Sequence, residues 1–323
     1  MRADRWLLLL LALVLAAGAA LAFGTIGFTP AESWNALWGR GEPTAVFVMR
    51  ELRLPRMVLA ALLGAGLGLS GAALQGVLRN PLAEPYLLGV SGGAAVGAVL
   101  AVTAGIAFAL VPLAAFAGAV AAVALALSVA HATRGRGDPR VLVMAGVVVG
   151  AFANAEIMIL MANADASKIR GAVWWMMGSV ADASWTQNAW LAAYVFLGGA
   201  FLVADGRTLD ALALGEDSAA GLGIDVDRAT RGVYLTASLV AAATVAAAGL
   251  VGFVGLVVPH IARRLGATGH RTLLSASALT GAALVVIADL IARVALPPAE
   301  LPLGAVTAVI GVPFFLMTLR RLT

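Results

Sequence analysis

Apolar runs of about twenty residues recur along this sequence, and no other feature restricts its folding as severely. The first runs from Trp6 to Phe28 and the second from about Met57 to Leu78, and others start near Ser91 and Pro112. A fifth covers Val141 to Met161, a sixth ends at Asp205, a seventh begins near Gly232, and the last two run from Thr272 to Ala295 and from Leu303 to Leu319. Helices of that length cross a bilayer. With 62% hydrophobic and 12% charged residues among 323, against about a quarter charged in soluble domains, the chain reads as an all-α polytopic membrane protein. It is expected to form a single transmembrane domain, 1–323, of about ten helices, the eighth being Gly252 to Ile261, too short and too Gly- and Pro-interrupted for an ordinary span and therefore expected to pack against other helices.

Between the spans lies one substantial internal polar surface, Asp205 to Arg231. Gly215 and Gly223 divide it into helix-sized pieces, and Glu216 and Asp217 follow Gly215, where a helix N-terminus favours negative charge. Ala219, Ala220 and Leu222 offer a face for packing. A solvated loop is the plain alternative; the sharper reading is a docking platform for a cytoplasmic partner. Asn163 to Ser184, with Lys168, Arg170, Trp174 and Trp175, suits a helix lying at the membrane surface.

Ala20-Leu21-Ala22 mimics a signal-peptide cleavage site, but the run is long enough to span and many spans follow, so an uncleaved first helix is expected. With the N-terminus inside and ten crossings, fourteen of the 21 basic residues fall inside, among them Arg134, Arg136, Arg320 and Arg321. Seven fall outside: Arg40, Arg50, Arg53, Arg56, Lys168, Arg170 and Arg293. That bias places both termini in the cytoplasm. Arg50, Arg53 and Arg56 go against it, either to meet a partner or to anchor a helix among headgroups.

Several motifs fail their context. Gly66-Leu67-Gly68-Leu69-Ser70-Gly71 fits a dinucleotide fingerprint but lies inside an apolar span, where close helix packing is the better reading, as it is for Gly64-x-x-x-Gly68 and Gly146-x-x-x-Gly150. Gly89-Val90-Ser91-Gly92-Gly93 has the spacing of a nucleophile elbow without its strand. His131, His260 and His270 have no metal-ligand spacing, and without cysteine there are no disulfides or thiolate sites, so neither metal nor cofactor is expected. The single lysine, Lys168, cannot complete a Walker A loop, which makes the chain a non-enzyme and leaves any ATP hydrolysis to a partner. The dispersed basic residues do not suggest nucleic acid. Glu156, Asp289 and Arg293 are the ionisable residues expected within or at the rim of spans, and the last two, four apart, are placed to pair.

Nearly the whole chain resembles one family, the FecCD-type permeases of type II ABC importers for corrinoids, haem and ferric siderophores. The resemblance rests on Arg53-Leu54-Pro55-Arg56, Ser70-Gly71-Ala72-Ala73-Leu74-Gln75-Gly76, Arg79-Asn80-Pro81-Leu82-Ala83-Glu84-Pro85 and Leu88-Gly89-Val90-Ser91-Gly92-Gly93-Ala94. It continues through Trp175-Met176-Met177-Gly178-Ser179, Leu214-Gly215-Glu216, Gly252 to His260, Ala299 to Thr307 and Gly311-Val312-Pro313-Phe314-Phe315. It implies a type II ABC importer permease fold in the bacterial inner membrane, a homodimer with the path at its interface, two ATPase subunits below, and a periplasmic or lipid-anchored substrate-binding protein outside. Carried over by residue, it implies that Arg53, Arg56 and Arg293 dock the binding protein and that Asn80 and Leu82 belong to the cytoplasmic gate. Leu214, Gly215, Glu216, Asp217, Gly221, Gly223 and Arg228 match the helices that couple to the ATPase. The rival from another class is an ATP-independent secondary transporter or channel, which calls for coupling carboxylates or an inverted repeat; no convincing repeat relates the halves.

Overall fold

The computed structural model describes residues 1–24, 26–132 and 139–319; Arg134, Arg136, Arg320 and Arg321 lie outside them. The chain forms α1 (Ala3–Ala22), α2 (Pro30–Leu37), α3 (Pro43–Phe47), a π-helical stretch Val48–Arg53, α4 (Leu54–Val77), α5 (Val90–Thr103), α6 (Val111–Ala132), α7 (Pro139–Ala162) and α8 (Ala166–Met177). There follow α9 (Trp185–Ala204), α10 (Gly206–Ala213), α11 (Glu216–Gly221), α12 (Val226–Ala248), α13 (Val254–Arg264), α14 (His270–Val294) and α15 (Leu303–Leu319). Among the described residues seven helical stretches are long and apolar enough to cross a membrane, α5 and α15 are shorter apolar helices, and α13 has only 11 residues. About ten membrane-embedded helices result, three of them short.

Some boundaries differ from expectation for identifiable reasons. The first span stops at Ala22, before Gly24 and Gly27, and the carbonyls of Leu21, Ala22 and Ile26 turn to the Arg53 guanidinium. The second begins much earlier than Met57, because helix runs on from Pro43 through the π-helical turn. Pro55 has no N–H and its ring crowds the carbonyl four residues back, that of Glu51, and the wider turn lies there. The seventh starts at Val226, since the Asp225 carboxylate accepts the Arg228 N–H at 3.1 Å; the last residues assigned to the polar platform are therefore the first turns of α12. As expected, a separate helix, α8, follows the fifth span, and Lys168 Nζ ties it to the Thr103 carbonyl at 2.7 Å.

Where the chain breaks among packed helices, side chains complete the backbone. Pro259 denies the Gly255 carbonyl its usual donor inside α13, and Gln75 Nε2 from α4 reaches that carbonyl at 3.3 Å. Gln75 Oε1 in turn accepts from Arg263 Nη1 at 2.8 Å. In the break between α12 and α13, the Val251 N–H donates to the Tyr86 hydroxyl at 2.7 Å and the Phe253 N–H to Glu84 Oε1 at 2.6 Å.

The core is organised by α4, most of whose residues are buried, and by its antiparallel neighbour α14. A Cβ added to Gly64 would run into the Gly281 carbonyl and one on Gly281 into that of Gly64, while a Cβ on Gly68 would meet Ser277 O. One on Gly71 would meet Gly255 O of α13. The fingerprint-like glycines are therefore packing surfaces, where missing side chains let backbones touch. Gly64→Ala should lower the stability of the detergent-solubilised protein by about 1–3 kcal/mol through overpacking, measured by thermal unfolding. Gly18→Ala, with open space around its Cβ position, should leave the transition unchanged or slightly raised.

Candidate functional site at the two ends of the helix pair

At one end the pair gathers charge. Arg56 on α4 grips Asp289 on α14 with Nε at 3.0 Å and Nη2 at 2.8 Å from Oδ1, and reaches Glu300, beyond α14, with Nη1 and Nη2 each at 2.9 Å. Such forked contacts are the strong form of an arginine-carboxylate bond. Arg293 lies 3.6 Å from Asp289 through Nε and donates Nη2 to the Ala20 carbonyl at 2.6 Å. Arg53 gives its guanidinium to the α1 carbonyls and stands over the Phe28 ring. All three arginines expected to act together are thus at one end, with Glu300, a partner that no spacing in the sequence reveals.

Their burial is the informative part. Arg53 and Arg293 are each 5% exposed and Asp289 is 2% exposed, whereas Arg56 and Glu300 reach the rim. Unpaired charges cannot persist so deep, and each guanidinium has partners within the chain, although Arg293 Nε, 3.6 Å from Asp289, has no hydrogen bond of its own. The Arg56 hydrogen bonds hold the Glu300 carboxyl below the usual carboxylate range, against the opposing effect of burial. That contribution to stability is complete at neutral pH and is lost as pH falls through the lowered value. The expected pairing of Asp289 with Arg293 is present, but Asp289 spends its hydrogen bonds on Arg56. Glu156 is half-buried on α7.

The opposite end carries the polar platform. Gly215, at φ 112°, separates α10 from α11, and Gly223, at φ 81°, ends the second piece, conformations that L side chains rarely adopt. Leu209, Leu212 and Ala219 are buried beneath it. Leu214, 71% exposed, and Leu222, 67% exposed, face outward with Glu216, Asp217, Gly221 and Arg228, so of the expected packing residues only Ala219 turns inward. Glu216 bonds Arg79 Nη2 at 2.5 Å, joining α11 to the end of α4. Asn80 Oδ1 accepts the Leu82 N–H at 2.9 Å, which fixes the turn after α4 and leaves Leu82 exposed. A cavity of about 380 Å³ opens between this turn, the end of α10 and the α13–α14 connection, lined by Gln75, Arg79, Asn80, Arg263, Thr268 and His270 among others.

The start of α1 is at the platform end, since Arg5 Nη1 donates to the Leu265 carbonyl at 2.7 Å, and so is the described end of α15, where Phe314 lies under Arg264. The histidines are engaged separately: His131 with Arg231, His260 with the Leu256 carbonyl, and His270 with Asp210. Ser91 Oγ donates to the Tyr86 carbonyl, in a helix and not in a nucleophile elbow.

The sequence profile of the FecCD transport family matches residues 5–321. The chain is 44% identical over 278 residues to the cobalamin import system permease protein BtuC of Halobacterium salinarum, covering 86% of this chain and 74% of that one. It is 34% identical over 310 residues to the iron(3+)-hydroxamate import system permease protein FhuG of Bacillus subtilis, covering 93% and 92%. A solved structure described as an inward-facing conformation of a metal-chelate type ABC transporter superposes with a TM-score of 0.86 over 97% of each chain at 30% identity. Matched along almost its entire length by profile, by curated relatives and by structure, the chain belongs to the FecCD transport family.

Proposed function

We infer that this chain is the membrane-spanning permease subunit of an ABC importer carrying an iron chelate, such as a ferric siderophore or haem, or a corrinoid. The observation that carries the reading is the platform: a folded pair of short helices, buried on one side, that presents Leu214, Leu222, Glu216 and Asp217 outward. An exposed apolar and acidic surface of this kind, tied through Arg79 to the central helix, is built to receive a partner. That partner is the ATPase. Two copies of the permease would enclose the path and two ATPase subunits would bind below, with both termini on the cytoplasmic side of the bacterial inner membrane. The permease hydrolyses nothing itself: ATPase closure moves the platforms, the helices rock, and Asn80 and Leu82 act at the gate.

At the other end a substrate-binding protein docks around Arg53, Arg56 and Arg293. Arg53 and Arg293 shape the surface from within, and Arg56 makes the contact. Glu300 occupies part of the Arg56 fork from an exposed loop, so a partner carboxylate can take its place.

Uptake of ferric siderophore and of corrinoid into liposomes, with the neighbouring ATPase and binding protein and with or without ATP, tests the importer reading. ATP-independent uptake by the permease alone would identify a secondary transporter or channel. In the working system Glu216→Lys with Asp217→Lys should cut ATP-driven uptake by about tenfold or more, as expected for a coupling surface; normal uptake removes the platform's role. Leu82→Trp should block passage while the protein stays folded, and unchanged uptake removes Leu82 from the path. For docking, Arg56→Glu should weaken binding-protein association, whereas Glu300→Gln, which frees part of the fork, should tighten it several-fold. A titration at two ionic strengths checks both, and an unchanged affinity in Arg56→Glu with normal insertion excludes Arg56 as a docking group.

A further inference from the structure

Helix α14 begins without a cap of its own. Gly269 precedes it and offers no side chain, yet the His270 N–H donates to Asp210 Oδ1 at 2.9 Å, and His270 Nδ1 meets the same oxygen at 2.7 Å. Asp210 belongs to α10. A carboxylate there satisfies one of the N–H groups left over at a helix start and lies at the positive end of the helix dipole. The joint is tight around it. Arg271 Nη2 donates to the Ala204 carbonyl at 2.9 Å, and a Cβ on Gly206 would stand 2.9 Å from the Arg271 backbone nitrogen. Gly76 faces the other edge of the imidazole, with His270 Nε2 2.6 Å from where its Cβ would be.

The platform therefore holds two helices by two separate groups: α14 through Asp210 and α4 through the bond from Glu216 to Arg79. Those two helices are locked to each other. From Arg56 against Asp289, through Gly64 against Gly281 and Gly68 against Ser277, to Gly76 against His270, each advance along α4 is matched by an equal retreat along α14, to within one residue. The register holds over about 30 Å of helix. Sliding one past the other would drive side chains into backbone already in contact, so the pair moves as a body.

We propose that Asp210 is a positioning residue of the transport cycle: by capping α14 it completes a two-point mount through which the platform moves α4 and α14 together. The far end of that strut is the Arg56, Asp289 and Glu300 cluster, so one rigid element links the ATPase side to the docking side. The inference rests on the importer reading above and adds how its two ends communicate.

The test uses the permease assembled with its ATPase and binding protein in liposomes, with uptake per ATP hydrolysed as the readout. Asp210→Ala should lower that ratio about tenfold while the amount of assembled complex and the basal hydrolysis stay unchanged. Asp210→Asn, which keeps an acceptor for the His270 N–H, should retain most of it. Because the chain has no cysteine, the joint can also be replaced covalently: a Cβ at position 269 lies 3.4 Å from Asp210 Oδ2. The pair Asp210→Cys with Gly269→Cys should behave like Asp210→Ala when reduced and recover coupling when oxidised. An oxidised pair that stays uncoupled shows that the joint must open during the cycle and overturns the proposal. Normal coupling in Asp210→Ala, or a loss explained by less assembled complex, overturns it too. A wild-type chain without ATP-driven uptake would instead overturn the importer reading and this inference together; active wild type beside an equally active Asp210→Ala overturns this inference alone.

Discussion

Every backbone group released inside a bilayer must find its partner in the protein, and the rest of this structure depends on how that demand is met. The fold contains short and broken helices where a simpler bundle would have continuous ones. Several of the breaks coincide with a polar side chain brought from elsewhere in the chain. Gln75 covers the carbonyl left by Pro259, Glu84 and Tyr86 take the N–H groups between α12 and α13, and Arg53 collects carbonyls where α1 unwinds. Leaving such a group unpaired in an apolar setting costs several kcal/mol. These few polar residues therefore help decide where the chain can depart from helix.

The same economy explains the arginines. A guanidinium buried among helices is tolerable when partners surround it: Arg53 and Arg293 donate to carbonyls at the end of α1, and the charge of Arg293 is balanced by Asp289 at 3.6 Å. Their burial is thus accounted for by contacts inside the chain. Arg56 differs because part of its fork goes to Glu300 on a loop, a contact at the rim. Within one cluster, depth separates the arginines enclosed among helices from the one that reaches the rim.

Much of this was legible in the sequence. Length and apolarity announced the spans, glycines at 215 and 223 marked the two platform helices, and the failed fingerprint at Gly66 to Gly71 was readable as a packing surface. Local signals of that kind survive because they depend on neighbours along the chain. The early start of the second span escaped, since Arg50, Glu51 and Arg53 look like a polar lead-in unless the partners of Arg53 on α1 are known. Asp210 and Glu300 escaped for the same reason: each acts on a residue far away in sequence, His270 and Arg56, and no spacing rule links them. The Asp289 and Arg293 pair was foreseeable four residues apart, but its principal bond, to Arg56, belongs to tertiary structure.

The weak burial of α1 bears on how the protein is made. Leu9, Ala16 and Ala20 are its only buried residues, while Leu7, Leu8, Leu10, Leu11, Val14 and Leu15 face outward. It is fastened mainly at its ends, by Arg5 to the Leu265 carbonyl and by Arg53 and Arg293 at its far terminus, and its chief neighbour is α14. Some 250 residues must leave the ribosome after α1 before α14 emerges, which takes roughly tens of seconds. During that interval the first helix stands in the membrane without its main partner. Its nearly uniform apolar surface allows it to wait there in contact with lipid, and the last fastening, Arg293 on the Ala20 carbonyl, can close only after α14 has been made to its far end.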